Sequence, residues 1–438
     1  MNYKLHFQLL DEKGLEKENG SASAFLDEEN LTITPQSRMP FLISYRNITA
    51  INPQEFAVEL DIGSNSKLLL SKFGRLFDPF YKNLVTFRNE IILQDLLMYE
   101  SLRQSGYEAD VTFIVDAEQE TFLQRCELRL YETALVVLPE SGELLRIPYS
   151  EIIDIKEENH TLELRTDFDE HLILSKMGRQ YEPFMRELNA AADDLTLKVQ
   201  AMLKELMPLQ NPLVIRQTAG LLKEGKAVKR GDLEAMIPGM WSELEKKLEI
   251  VGIKSEFDFL WPYSAKDRVA IGIKRGLMGD LTGEYIWFLM PIYAIEDHAG
   301  KNIGGNAIAV EAGSTENSGK ATYFFRITGR NLYRELGSPE SLDPDADKFI
   351  KEYNRCMVLI NFRREPIYLT DEQLNEPRYE KYKYAVNKIP ALQLLRKNFI
   401  GRVFHHSPQQ WSEDVLSLLK YNVECKDDDS KWSKESRS

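Results

Sequence analysis

The sequence predicts an α+β fold: two tandem units, each of about seven antiparallel strands and a C-terminal helix, followed by a helical linker and an α+β domain. A duplication is the first observation behind this. Residues 31–84 align with residues 135–188 at a constant offset of 104, without a gap, and 18 of the 54 positions are identical. A repeat of this kind sets the fold unit and the domain count. The second observation is a change of hydrophobic period inside each copy, from alternation to spacings of three and four. The third is length. A chain of 438 residues exceeds what one compact core organises and suggests about two to four domains.

The copies are anchored at Leu31/Leu135, Pro35/Pro139, Tyr45/Tyr149, Ile48/Ile152, Ile51/Ile155, Glu59/Glu163 and Leu60/Leu164. The clearest match sets Leu70-Ser71-Lys72-Phe73-Gly74-Arg75 against Leu174-Ser175-Lys176-Met177-Gly178-Arg179. Each run leads to an acid and then Pro-Phe (Pro79-Phe80, Pro183-Phe184). Extended backwards, Tyr3 falls on Tyr107, so the units span residues 1–104 and 105–205.

In the second copy Cys126–Tyr131 alternates apolar and polar residues, the period of a half-buried strand. Ala134–Leu138, the turn Pro139–Gly142 and Leu144–Tyr149 read as a hairpin. Strands follow at Ile152/Ile155, Leu162/Leu164 and Leu172/Leu174, and Val111–Val115 precedes them. Then Tyr181, Phe184 and Leu188 fall on one face of a helix, as do Phe77, Phe80 and Leu84 in the first copy. Gly74 and Gly178 sit where the last strand must turn. Pro79 and Pro183 fit a first helical turn, where a missing N–H costs little.

This order of elements, with Tyr-x-x-Ile-x-x-Ile as a central strand (Tyr45–Ile51, Tyr149–Ile155), resembles the pleckstrin-homology-like (PH-like) fold, in particular its bacterial and GRAM-type members. The resemblance covers roughly residues 1–200. It implies a helix that plugs one open end of a bent sheet pair. It also implies binding roles, towards phosphoinositides, phosphopeptides or proteins, and no catalysis.

Beyond the repeat, residues 206–255 read as a helical linker. Ile215, Ala219 and Leu222, then Leu233, Met236, Trp241, Leu244 and Leu248, recur at helical spacing. Residues 256–425 read as the α+β domain. Its expected strands are Arg268–Ile273, Glu284–Ile295, Asn306–Glu311, Ala321–Ile327 and the apolar run Cys356–Phe362. Its expected helices are Asp345–Tyr353, Gln373–Val386, Leu392–Phe399 and Trp411–Leu419. Residues 426–438 are polar and charged and read as a disordered tail.

Composition narrows the function classes. The net charge of −14 repels nucleic acid and anionic membrane surfaces within the Debye length. The helical pair around Lys229–Asp232 has the shape of a helix–turn–helix, which can read DNA, but two packed helices are the favoured reading and nucleic acid is not the expected partner. Three cysteines, Cys126, Cys356 and Cys425, are far apart and lack CxxC spacing, so neither a disulfide framework nor a thiolate zinc site is expected. The first residues lack the basic and apolar regions of a signal peptide. The apolar run Tyr285–Ile295 is too short to span a bilayer. Cytoplasmic residence is the resulting expectation.

The polar residues most clearly repeated are Ser71, Lys72 and Arg75 and their copies Ser175, Lys176 and Arg179. A helix N-terminus with a glycine and two cations makes an anion cradle, so these six are the candidate ligand-binding residues. The competing reading is a fold-defining turn, in which the serine caps and the cations pair with acids such as Asp78 and Glu182. Two features favour the turn. The first-hairpin loops, Asp11–Gly14 and Asp116–Glu120, are mixed or acidic. Residues 125–190 hold 8 Lys/Arg against 14 Asp/Glu.

No HExxH, Walker, dinucleotide or Gly-x-Ser-x-Gly pattern occurs. His405 and His406 are adjacent, so their rings diverge and a shared metal is not expected. Residues 298–305 are glycine-rich but lack the Lys-Ser/Thr ending of a phosphate loop. Asp280, Glu284, Glu296, Asp297 and His298 supply acids and a histidine near the β-rich region. The sequence therefore points to a non-enzymatic interaction or scaffold protein with a protein partner and no cofactor or metal. Two alternatives stand beside it: an enzyme with its pocket in the α+β domain, and peripheral binding to anionic lipid.

Overall fold

The alternation read in the repeat becomes sheet. In a computed structural model the described residues are 2–63, 66–97, 100–116, 119–275, 284–293, 295–296, 302–303, 305–313, 319–328 and 339–424. Asp280, Asp297, His298 and the tail 426–438 lie outside them. The chain is α+β with antiparallel sheets. It divides into two units, Met1–Ala191 with Glu372–Asn387, and Ala192–Asp371 with Lys388–Ser438.

In the first unit the strands are β1 Asn2–Leu10, β2 Glu16–Leu26, β3 Asn30–Pro35, β4 Phe41–Ser44, β5 Ile48–Gln54, β6 Ala57–Ile62 and β7 Ser66–Ser71. Helix α1, Phe77–Leu97, follows them. The pattern then repeats as β8 Leu102–Asp116, β9 Gln119–Tyr131, β10 Ala134–Leu138, β11 Leu145–Pro148, β12 Ile152–Glu158, β13 Thr161–Thr166 and β14 His171–Ser175, followed by α2, Tyr181–Leu206. The first sheet has the order β4-β3-β2-β1-β7-β6-β5 and the second β11-β10-β9-β8-β14-β13-β12. The second order is the first with seven added to every label.

Detail repeats with topology. The Tyr45 hydroxyl donates to the Asp27 carbonyl at 2.9 Å, and Tyr149 to the Tyr131 carbonyl at 2.9 Å. Tyr3 meets Phe80 edge-on with ring centroids 5.1 Å apart, and Tyr107 meets Phe184 at 5.3 Å. Register shifts at Ile48/Ala50 and Ile152/Asp154 bend the same strand in each copy. The Tyr-x-x-Ile-x-x-Ile expectation needs correction. Tyr45 and Tyr149 each open a 3₁₀ turn, and the strands that begin at Ile48 and Ile152 lie at sheet edges. Each tyrosine ties its turn to the β2–β3 or β9–β10 connection twice, by its amide (to the Glu29 or Thr133 carbonyl) and by its hydroxyl.

Phe80, Leu84 and Ile91 of α1 complete a core with Tyr3, Phe7, Leu31, Leu60 and Leu70. Val85, Ile92, Leu93 and Leu96 are also buried but stand outside that cluster. The helix is thus covered on a second side, where Glu90 and Asn89 bond to residues of the second repeat.

The second unit contains α3 Pro212–Leu221, α4 Arg230–Met236, α5 Met240–Ile250 and α6 Lys254–Leu260. Its strands are β15 Val228–Lys229, β16 Ala270–Arg275, β17 Glu284–Ile292, β18 Ile295–Glu296, β19 Asn302–Ile303, β20 Asn306–Gly313, β21 Lys320–Arg326 and β22 Phe399–Val403. Its later helices are α7 Asp343–Leu359, α8 Glu365–Tyr368, α10 Pro390–Asn398 and α11 Pro408–Glu424; the intervening α9, Lys383–Lys388, lies almost wholly in the Glu372–Asn387 segment of the first unit. The main sheet has the order β15-β16-β17-β20-β21-β22. All eight residues of β20 are buried, so helices cover both faces. Ile286, Phe288 and Met290 join Leu233, Trp241, Leu244, Phe257 and Val415 on one face. Trp287 and Phe325 meet Tyr353 of α7 on the other, at 5.2 and 5.5 Å. Gly272 permits this layer to close. A Cβ there would stand 2.5 Å from the Gly225 carbonyl oxygen and 2.6 Å from the Trp287 indole nitrogen.

Two local expectations are corrected. The apolar run from Cys356 continues α7 to Leu359 and then turns, because Phe349, Ile350, Tyr353, Cys356 and Met357 form one buried helical face. Residues Gln373–Val386 form 3₁₀ turns and the start of α9, and they pack with the first unit. There Lys383 donates to Asn47 at 2.6 Å, and Arg46 grips Asp95 at 2.6 and 2.9 Å.

Candidate functional site

The six candidate residues lie on two strand-to-helix turns, three to each. Ser71 and Ser175 end β7 and β14 and are half-buried; Lys72, Arg75, Lys176 and Arg179 are exposed. Lys72 and Lys176 hold left-handed backbones, with φ of 61° and 60°, and Gly74 and Gly178 follow at 58° and 56°. A left-handed lysine is uncommon, and both copies keep it. The serines do not cap. The cap positions are Phe73 and Met177, without a side-chain hydrogen bond. Ser175 instead donates to the Asp110 carbonyl at 3.3 Å.

The two turns differ in charge balance. Lys176 pairs with Asp110, not Glu182, at 2.6 Å. Bonded to Lys176 and to the Arg125 amide, the Asp110 carboxyl is held below its ordinary range. In the first copy the strand neighbour of Ser71 is His6, where the second has Asp110 beside Ser175. Among the described residues, Lys72 therefore has no carboxylate at this position. One of the two cations of the second turn is therefore paired across to the adjoining strand, while Arg179 stays exposed; in the first turn His6 stands where that acid would be.

The left-handed glycines predict a matched loss. No atom lies within 4 Å of a Cβ built on Gly74 or Gly178, so Gly74→Ala and Gly178→Ala should each cost only the backbone term, about 1 kcal/mol. Equilibrium urea unfolding measures both. An unchanged midpoint in either variant contradicts the left-handed turn.

Two further polar groups lie in the second unit. On one face of its main sheet Glu256 accepts from Ser255 at 2.7 Å and from Lys320 at 3.0 Å, and its carboxylate lies 3.3 Å from His405 Nδ1. His405 Nε2 is 2.8 Å from Thr322 Oγ1, which also accepts from Trp411 Nε1 at 3.0 Å. Burial would raise the Glu256 carboxyl; hydrogen bonds from His405, Ser255 and Lys320 outweigh it and bring it down to about 2. The order hydroxyl, imidazole, carboxylate is that of a nucleophile with its base and orienting acid. Thr322, however, is fully buried, and the indole N–H occupies its oxygen. No substrate carbonyl can reach it in this conformation. His406 turns the other way and stacks near Phe404 at 5.8 Å.

On the opposite face Arg364 grips Glu311 at 2.5 and 2.6 Å, its guanidinium 4.4 Å from the Tyr285 ring centroid. Desolvation would lower the guanidinium, and Glu311 more than offsets this. Burial raises the phenols of Tyr285, Tyr323 and Tyr353. Spacing in the sequence signalled neither group, because their members come from separate elements. Among the described residues no group of three or more His, Cys, Asp or Glu is placed to hold a metal, and no helix is long and apolar enough to cross a membrane.

Compared with models of known protein families the chain matches none, and no curated protein sequence matches it.

Proposed function

We propose that this is a non-enzymatic interaction protein in which two tandem PH-like modules and the C-terminal α+β domain engage a macromolecular partner, itself a protein. The observation that carries the reading is the doubled arrangement of seven strands in one order, each followed by a helix, which is the element order of a binding fold. The polar groups of the second unit add support. They are interior, and their hydrogen bonds are made to one another. The charge of −14 and the Lys176–Asp110 pair weigh against an anionic lipid as the main partner.

An enzyme is the second reading, favoured by the Thr322–His405–Glu256 order. The test uses the intact chain. Affinity purification from its native cells is expected to recover a stoichiometric protein partner, with no hydrolysis of model ester substrates. Turnover abolished by His405→Ala, without any recovered partner, would overturn the binding reading.

A further inference from the structure

The outer face of β9, β10 and β11 is covered, and helix α1 covers it. Arg129, Val136 and Arg146 are direct neighbours across these strands, and directly paired residues project on the same side of an antiparallel sheet. Val136 is fully buried and Arg146 is 9% exposed. Arg129 clasps Glu90 of α1 at 2.6 and 3.1 Å, and Asn89 of α1 donates to the Gly142 carbonyl at 3.1 Å. All five residues of β10 are buried, which a sheet with one wet face does not give.

The first sheet carries the same row 104 residues earlier. Phe25, Thr32 and Leu42 are direct neighbours across β2, β3 and β4, and here the row is open. Phe25 is 44% exposed and Leu42 68%; Met39, at the position of Glu143, is 85% exposed. Both arginine positions and the glutamate position hold large apolar side chains instead. Such a cluster on an outer sheet face, next to the edge strand β4, marks an interaction surface.

We propose that this face docks an amphipathic helix of a partner protein, seated as α1 is on the second sheet, with aliphatic side chains where α1 presents Glu90. The repeat supplies the occupant: the equivalent face is closed by a helix. The side chains supply its chemistry. An acid opposite Phe25 and Leu42 would lose water without gaining a counter-charge. The proposal rests on the binding reading and gives it a surface and a class of partner.

The probe is a synthetic, side-chain-stapled, fluorescent peptide of residues 77–97 carrying Glu90→Leu and Arg88→Leu, titrated against the full chain by anisotropy. Arg88 is changed because it pairs with Glu143, where the open face has Met39. Saturable binding is expected, weakened at least roughly tenfold by Phe25→Glu with Leu42→Glu. Phe56→Glu, at an exposed residue elsewhere in the same repeat, should leave it unchanged. All three substituted residues are exposed, and far-UV circular dichroism checks the fold. No saturable binding, or binding indifferent to the Phe25 and Leu42 changes, overturns the proposal. So does a dimer in sedimentation that those changes dissolve, since a second copy would then fill the face. If the partner recovered from native cells still binds the doubly substituted chain, this surface is refuted and the binding reading stands.

Discussion

Arg364→Met is expected to destabilise the second unit by about 3–5 kcal/mol, the cost of leaving a buried charge without its partner. Glu311 is the residue stranded. Its side chain is 7% exposed, and Arg364 is held against it at 2.5 Å. Neighbouring Tyr285, Tyr323 and Tyr353 add no positive charge. Part of the loss is the contact of the guanidinium with the Tyr285 ring, worth about 1–2 kcal/mol when desolvated. Combining Arg364→Met with Glu311→Leu should recover most of the stability, because neither member of the pair is then left buried without the other, while Lys274, also buried on this face and packed on the Phe362 ring, is unchanged. Arg364→Lys should recover less than half, since an ammonium cannot repeat the two-point grip or lie flat on the ring. Guanidinium chloride unfolding of the four proteins provides the test. A single-variant loss under about 1 kcal/mol would mean that water reaches Glu311.

The second large effect is a dependence on pH set by Glu256. Its folded-state carboxyl lies at about 2, against an ordinary 4.5. A depressed acid stabilises the fold above its unfolded value, and that contribution is lost as pH falls through the folded one. The window is therefore about pH 5 down to about 2. A shift of this size corresponds to about 3 kcal/mol, and the side chain is only 8% exposed, so solvent screens it little. Unfolding free energy measured across that window should fall about 3 kcal/mol further in the wild type than in Glu256→Gln. The variant should already be less stable at pH 7, with Lys320 and His405 facing a neutral amide. Equal slopes in the two proteins would mean that the carboxylate is not bonded as described.

Much of the local architecture was legible. The matched runs around Gly74 and Gly178 located the strand-to-helix turns, and alternation at Cys126–Tyr131 located β9. The expected strands in the Phe257–Thr328 region correspond to β16, β17, β20 and β21. Failures fell where the sequence signal was short or ambiguous. Strand β22 has five residues, directly after a helix, and exists by pairing with β21. Cys356–Leu359 is apolar in a way that suits either a strand or a buried helix end, and packing beneath β17 and β21 decided for the helix. The turn cations could be found as a motif. Their unequal pairing could not, because it depends on whether His6 or Asp110 stands on the adjoining strand.

What the sequence determined by itself is the copied segment, the period of each element and the turn chemistry between elements, since these depend on residues a few positions apart. Only the tertiary structure decided which faces are covered. Thr322 and His405 are 83 residues apart, and Arg364 and Glu311 are 53 apart. Phe25 and Arg129 occupy the same place in their sheets, yet one is open and the other closed, because burial depends on what the rest of the chain lays across a strand, and no local pattern encodes that.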